Sequence, residues 1–291
     1  MLSLHTNNAA LAAQSSLGRT QSSLTTSMTR LSTGYRINSA MDDAAGLQIA
    51  TRLKAQTSGM AVAMRNTQNS TSMLQTAEGA LDEVTNMLVR MKDLATQASD
   101  ASSSTDDKTA MQSEYDNLGK EIQNIMSNTK FGGQTLLKSG TISSSITFQI
   151  GADSSEKMTL DLSSDMGSSG AVFNALASAS VYAGATSSAA TSGTELNATS
   201  ANASINLIST AIDKISSVRS SLGATANRLD HVYNNLQNIS SNTKAATGRI
   251  MDVDFATESA DMTSNQMLLQ ASTAMLKQTN SMSSMVMSLL Q

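Results

Sequence analysis

Large apolar residues recur along the first part of the chain at the spacing of a coiled-coil helix. They follow steps of three and four, the a and d positions of a heptad repeat, and polar Gln56, Thr67 and Ser70 interrupt them. The pattern predicts one helix from about Met41 to Ala98, a rod of about 85 Å at about 1.5 Å per residue. The stripe consists of Ile49, Leu53, Met60, Ala63, Leu74, Ala77, Leu81, Val84, Leu88, Met91, Ala95 and Ala98.

Two further stripes with helical spacing follow. The first of these stripes is separated from the long helix by the segment DASSSTDD (100–107). Ser and Asp favour turns and cap helix N-termini, so this segment predicts a break between two helices. The members of this first stripe are Met111, Tyr115, Leu118, Ile122 and Ile125. The other stripe has one charged member, Arg219. Its apolar members are Ile205, Ile208, Ile212, Ile215, Leu222, Ala226, Leu229, Tyr233 and Leu236.

Between these helices the apolar period changes from helical spacing to two. ITFQI (146–150) and MTLDL (158–162) alternate apolar and polar residues on either side of GADSSEK, which predicts a β-hairpin. Residues 167–203 are mostly Ser, Ala, Gly and Thr. This composition predicts a short, exposed and loosely ordered segment.

Both ends of the chain carry amphipathic helical stripes. Leu17, Leu24 and Leu31 recur near the start, and Leu268, Met275, Met282 and Leu289 recur near the end. A single helix cannot bury its own apolar face, so each end must pack against the other or against neighbouring subunits. We expect a mainly α fold, a long antiparallel helical hairpin or coiled-coil rod with a small β-hairpin region. The expected assembly interface comprises Leu24, Met28, Leu31, Leu269, Leu276 and Leu290.

The composition argues against catalysis. The chain has no Cys, so it has no disulfide, thiolate metal site or thiol nucleophile, and its only histidines are His5 and His231. No nucleophile, base and orienting group can be assembled from these residues, so we expect neither an enzyme nor a cofactor. The net charge of −4, without a basic cluster, argues against nucleic acid as a partner. No run of 18 apolar residues occurs, so no membrane span is expected.

Three local features admit a functional interpretation beside a structural one. Adjacent Asp42 and Asp43 point about 100° apart on a helix, which favours helix-start charges over a catalytic carboxylate pair. DVDFATE (252–258) lacks the Gly and the final Glu of an EF-hand calcium loop. The methionines near the C-terminus indicate adaptable packing at a contact surface more than copper binding.

Several longer motifs resemble those of one protein family in sequence and order. RLSTGYRINSAMDDAAGLQIATRL (30–53), TAEGALDEV (76–84) and DLATQAS (93–99) resemble the N-terminal part of bacterial flagellins. GATANRLDHVYNNLQN (223–238), GRIMDVDFATESADM (248–262) and the closing MSLLQ are similar to the C-terminal part. The resemblance covers about residues 1–165 and 204–291.

This resemblance implies a subunit that polymerises into the flagellar filament. It implies a terminal coiled-coil domain (1–42 plus 252–291), a helical domain with the β-hairpin (43–166 plus 204–251) and the exposed segment 167–203. It also implies self-assembly outside the cell after unfolded export through the flagellar type III channel, in agreement with an N-terminus that lacks the features of a Sec signal. The implied partners are an export chaperone and cap and junction proteins.

Two further expectations come from the same resemblance. MLVRMKDLATQ (87–97) is similar to a flagellin segment that an innate immune receptor of animals recognises, with Arg90, Leu94 and Glu114 at matching positions. Arg90 and Leu94 are i and i+4, so they would offer a charge and an apolar knob on one helix face. The alternatives are a hook-filament junction protein of the same system and, more remotely, a generic coiled-coil adaptor.

Overall fold

Helices dominate the computed structural model, which describes residues 7–167, 169–179, 195–197 and 200–289. The helices are α1 (Asn8–Thr33), α2 (Ala44–Ala98), α3 (Thr105–Asn128), α4 (Ser163–Met166), α5 (Ala171–Ser178), α6 (Ala201–Met251) and α7 (Phe255–Leu289). The strands are β1 (Lys130–Phe131), β2 (Gln134–Thr135), β3 (Ile146–Gln149) and β4 (Lys157–Leu160). The prediction of a mainly α fold with a small β-hairpin region is confirmed.

Contacts divide the chain into two compact units. The terminal unit contains Met1–Thr57 and Ser241–Gln291, and the central unit contains Ser58–Ser240. The division therefore lies within α2 and α6. The domain boundaries drawn from the sequence, 42/43 and 251/252, fall instead between helices.

One apolar core joins the helices of the central unit. It combines the stripes of α2, α3 and α6 with residues from both hairpins and α5. The heptad of α2 is confirmed from Met60 to Ala98, where every apolar stripe position is buried. Arg219 of α6 contacts Glu78, and Leu236 packs with Met60, so α2 and α6 are antiparallel here. Ile49, in the terminal unit, is 41% exposed, so its assignment to a buried stripe is wrong.

Two hairpins lie between α3 and α4. The predicted hairpin is confirmed as β3 and β4, which pair antiparallel from Ile146 with Leu160 to Gln149 with Lys157. The smaller hairpin of β1 and β2 was not predicted. Its turn places Gly132 at φ 58° and Gly133 at φ 85°, backbone conformations that favour glycine. The adjacent Gly132 and Gly133 are the sequence feature that could have predicted this hairpin.

The expected exposed segment is partly buried. Residues 171–178 form α5, where Val172, Phe173, Ala175 and Leu176 are buried. The expectation of exposure is therefore wrong for this part, because the apolar run AVFNALA lies within a composition otherwise dominated by small polar residues. Residues 180–194 lie outside the described residues.

Residues on either side of 180–194 form hydrogen bonds with side chains of α3. The buried Tyr115 hydroxyl donates a hydrogen bond to the Ala179 carbonyl at 2.8 Å, and the Gln112 side-chain oxygen accepts one from the Leu196 N–H at 2.9 Å. Burial raises the pKa of Tyr115, so the hydroxyl stays protonated and remains a donor.

The terminal unit is built on an antiparallel pair of helices, α1 and α7. Asn7 Nδ2, at the start of α1, donates to the Thr279 carbonyl at 3.4 Å, and Arg30 lies 3.6 Å from Glu258 near the other end. Gly34 ends α1 in a left-handed conformation at φ 74°. Its carbonyl accepts from Val253 N at 3.0 Å, which ties the segment after α1 to the one before α7.

Candidate interaction surfaces

The two terminal helices leave much of their apolar surface exposed. Among the side chains described for α1 and α7, only Ser27 and Glu258 are fully buried, and both are polar. Large apolar side chains of the same helices are exposed: Leu11, Met28, Phe255, Met267, Leu268, Met275 and Met282. Contact between α1 and α7 therefore covers only part of each apolar stripe.

The residues expected at the assembly interface lie on these two helices. Met28 is exposed, whereas Leu24 and Leu31 on α1 and Leu269 and Leu276 on α7 are half-buried. Leu290 lies outside the described residues. The structure thus places four of these residues between full burial and full exposure, where further apolar surface can still be covered.

An ion pair connects α1 and α7. Arg30 Nη1 lies 3.6 Å from Glu258 Oε2, and the buried Arg30 Nε has no hydrogen-bond partner. A buried donor without a partner costs free energy, so this contact is only partly satisfied. Sequence reasoning missed the pair because its partners lie at opposite ends of the chain, where spacing carries no information.

The expected receptor-contact residues are in three different environments. Arg90 Nε donates to Glu114 Oε1 at 2.8 Å, and both side chains are about half exposed. Leu94 is 2% exposed and belongs to the central core. The expectation that Leu94 forms an exposed apolar knob is wrong. The reason is that α2 and α6 share their core with α3, which widens the buried stripe of α2 beyond the a and d positions.

The carboxylates singled out in the sequence act locally on the backbone. Asp42 accepts hydrogen bonds from the N–H groups of Ser39 at 2.8 Å and Asn38 at 3.0 Å, and these hydrogen bonds lower its pKa. Asp43 accepts from Gly46 N at 2.8 Å at the start of α2. The interpretation as a helix-start residue is confirmed for Asp43, whereas Asp42 accepts from the turn that precedes α2.

The DVDFATE segment is also explained by capping. Asp254 accepts from Ala256 N at 3.0 Å and from the Thr257 hydroxyl at 2.8 Å just before α7 begins. Hydrogen bonding to Thr257 lowers the pKa of Asp254. Across the described residues, His, Asp and Glu side chains form no group of three or more that could hold a metal ion.

These surfaces define a class of protein: a helical structural protein whose paired chain ends keep apolar surface available for partners. Comparison with known proteins identifies the family. Residues 4–141 match the bacterial flagellin N-terminal helical region, and residues 205–290 match the bacterial flagellin C-terminal helical region. The chain belongs to the bacterial flagellin family, and it is a structural subunit of the flagellar filament.

Two relatives are similar to this chain along almost its whole length. Flagellin of Halalkalibacterium halodurans is 40% identical over 91% of this chain and 90% of its own length. Flagellin B of Vibrio anguillarum is 34% identical over 99% of both. Among solved structures, Bacillus cereus flagellin is 31% identical over 59% of this chain and 88% of its own, with a TM-score of 0.47.

A second solved structure is similar in fold. It comes from Vibrio parahaemolyticus and is described as a flagellar hook-associated protein. It has a TM-score of 0.57 and 18% identity over 72% of this chain and all of its own. This likeness concerns the fold alone. In the described part of this chain, no helix has the length and apolar character needed to cross a membrane.

Proposed function

We propose that α1 and α7 form the surface through which copies of this chain assemble, and that the terminal unit completes its folding in the filament outside the cell. The supporting observation is that these two helices bury no apolar side chain fully among those described, while several large ones stay exposed. Neighbouring copies supply the same apolar stripes, so each copy can cover the surface of the next.

The balance of free energies favours assembly coupled to folding. Fixing one residue costs about 1–2 kcal/mol of conformational entropy. Fully burying one Met or Leu side chain returns about 1.5–3 kcal/mol. The terminal unit has few such buried side chains in the monomer, so its helices gain most of their stabilisation when Leu24, Leu31, Leu269 and Leu276 are covered by other subunits.

A charge placed on the exposed apolar face of α7 tests the assembly surface. Met275 is 62% exposed, so Met275→Asp leaves the monomer folded but places a carboxylate in an apolar interface, which opposes burial. The matched control is Asn280→Asp, which adds the same charge about 140° around the helix on a position that is already polar. Electron microscopy and sedimentation of seeded polymer should show filaments for the control and none for Met275→Asp. Normal filaments from Met275→Asp would refute this surface.

Assembly of the purified wild type also separates the filament subunit from the junction protein. A filament subunit elongates seeds of its own kind into fibres. A hook-filament junction protein would bind at an end without elongating it. The hook-associated neighbour supports the fold and not this second role, because only 18% of its aligned residues are identical.

The export chaperone and the cap and junction proteins are proposed partners of the terminal helices. The exposed apolar side chains of α7 support this, because a segment with uncovered apolar surface needs a partner before it assembles. Deletion of Met251 to Gln291 should abolish chaperone capture in a pull-down, whereas deletion of residues 1–40 should retain it. Retained capture by the first deletion would contradict the proposal.

Recognition by an innate immune receptor is proposed through the Arg90–Glu114 ion pair. Both side chains are accessible in the monomer. The buried Leu94 would act indirectly, by fixing the position of the backbone that carries Arg90. A receptor-reporter assay should respond to monomer and lose its response with Arg90→Ala, while the neighbouring exposed Val89→Ala retains it. A silent wild-type monomer would refute recognition.

A further inference from the structure

One face of α7 is lined by methionine. Met267, Met275 and Met282 are exposed by 60%, 62% and 57% of their surface. They are separated by eight and seven residues, so at about 100° per residue they lie within about 80° of one another around the helix. We call these three residues the methionine face.

The thioether distinguishes these residues from the leucines beside them. Methionine is oxidised to the sulfoxide, which replaces a flexible apolar side chain by a polar one. The rate depends on access to the sulfur, and methionines in the central core, including Met91, Met126 and Met166, have no exposed surface. The chain has no Cys, so no thiol of its own competes for an oxidant.

We propose that the methionine face is an oxidative modification site that controls assembly. A sulfur lone pair attacks one oxygen of hydrogen peroxide, the O–O bond breaks, the sulfur–oxygen bond forms, and water leaves. The sulfur loses two electrons and the peroxide gains them. The proposal rests on the proposed function, because the sulfoxides act by making an assembly surface polar.

The consequence differs between the monomer and the filament. In the monomer the three methionines are exposed, so peroxide converts the face to sulfoxides that oppose burial against a neighbouring subunit. In the filament the neighbour covers the same face and excludes the oxidant. Oxidation therefore removes subunits from assembly without dismantling filaments already formed.

The experiment treats verified monomer and sheared filament with the same hydrogen peroxide concentration. Peptide mass spectrometry then measures sulfoxide at each methionine. Met267, Met275 and Met282 should oxidise at least tenfold faster in monomer than in filament, and Met91 and Met126 should remain unoxidised in both. Equal oxidation of the methionine face in monomer and filament would overturn its protection by assembly.

Seeded elongation measures the functional effect. Peroxide should slow elongation of wild-type monomer at least tenfold, and methionine sulfoxide reductases should restore it. A variant with Met267→Leu, Met275→Leu and Met282→Leu should elongate after treatment as before. The control Met41→Leu removes an exposed methionine outside α7 and should stay peroxide-sensitive.

The outcomes separate this inference from the function on which it rests. Untreated wild type that does not elongate seeds contradicts the assembly proposal itself. Untreated elongation with no effect of peroxide, or the same peroxide effect in the triple variant, overturns the methionine face alone. If the triple variant elongates poorly before treatment, the deciding measurement is whether the reductases restore elongation of oxidised wild type. Failure to restore it counts against the proposal.

Discussion

At the residue scale, two side chains one turn apart on α2 lie in different environments. Arg90 and Leu94 are one turn apart, yet Arg90 reaches solvent and Glu114, and Leu94 is enclosed by the core. The side chain at position 94 therefore contributes to the stability of the central unit by its volume. Substitutions there act first on folding and only through folding on any surface property.

We expect Leu94→Ala to lower the free energy of unfolding of the central unit by about 2–5 kcal/mol, because it leaves a cavity in a closely packed core. The exposed Val89→Ala is the matched control and should change it by less than about 0.5 kcal/mol. Urea denaturation followed by circular dichroism measures both. Equal effects of the two variants would contradict the burial of Leu94.

Arg219 is the one charged residue within the apolar stripe of α6, and its partners explain its position. Its Nη2 lies 2.8 Å from both Glu78 Oε1 and Asp82 Oδ1 on α2. The hydrogen bond to Glu78 raises the pKa of Arg219, so it stays charged. The two carboxylates are i and i+4 on one helix face and hold the guanidinium between them.

Arg219→Ala should lower the free energy of unfolding by about 1 kcal/mol, since all three side chains are partly exposed to screening solvent. The control Arg228→Ala removes an exposed arginine of the same helix and should have little effect. Thermal unfolding at low and high salt measures the difference, which should shrink as salt increases. A difference independent of salt would argue against an electrostatic role.

At the element scale, a capping box fixes the start of α3. Ser104 Oγ accepts from Asp107 N at 3.2 Å, and Asp107 Oδ2 accepts from Ser104 N at 3.1 Å and from the Ser104 hydroxyl at 2.7 Å. This arrangement satisfies N–H groups that the first helical turn leaves without partners. It converts the Ser- and Asp-rich turn after α2 into a defined helix start.

Ser104→Ala should destabilise the central unit by about 1 kcal/mol because α3 loses its N-cap. The control Ser103→Ala removes a hydrogen bond to the Gln97 carbonyl near the end of α2 and leaves the α3 cap in place. Chemical denaturation followed by helical circular dichroism measures both variants. A loss from Ser103→Ala as large as that from Ser104→Ala would mean that the cap is not the cause.

The capping box also gives α3 an acid dependence. Hydrogen bonds from Ser104 hold the pKa of Asp107 below its ordinary value of 3.8. The folded carboxyl binds its proton less readily than the unfolded one, so its contribution is present above the ordinary pKa and lost as pH falls through the lowered value. Asp107→Asn should therefore show less loss of stability than wild type between about pH 5 and about pH 2. An identical pH profile would contradict this role.

At the scale of the whole molecule, the two units differ in how much apolar surface they bury. The central unit has a large apolar core and a smaller apolar cluster, whereas α1 and α7 in the terminal unit fully bury only Ser27 and Glu258 among their described side chains. Local stability follows the burial of apolar contacts, so the units should open with different free energies.

Hydrogen exchange should reveal this difference directly. In verified monomer, amides of α1 and α7 should exchange at least a hundredfold faster than those of α3 and the central parts of α2 and α6. Assembly into filaments should protect α1 and α7 while changing the central unit much less. Limited proteolysis should agree by removing roughly the first and last 40 residues before the 45–250 core is cut. Equal protection in the monomer would contradict the proposal.

The local periodicity of the sequence determined most of the secondary structure. Steps of three and four specify the long helices because each helical turn returns a side chain to the same face, and alternation specifies β3 and β4 for the corresponding reason in a strand. Capping chemistry located the starts of α2 and α3. The ordered motifs around residues 30–99 and 223–262 were enough to identify the family, because they are long and specific.

Only the tertiary structure decided which apolar residues are covered. Periodicity predicts a face but not its width or its partner, so Leu94 is buried in the core that α2 shares with other elements while Ile49 remains exposed on the same helix. The burial of Phe173 and the Arg30–Glu258 contact likewise depend on residues distant in sequence. Burial is a property of what packs against a side chain, and neighbouring letters in the sequence do not contain that information.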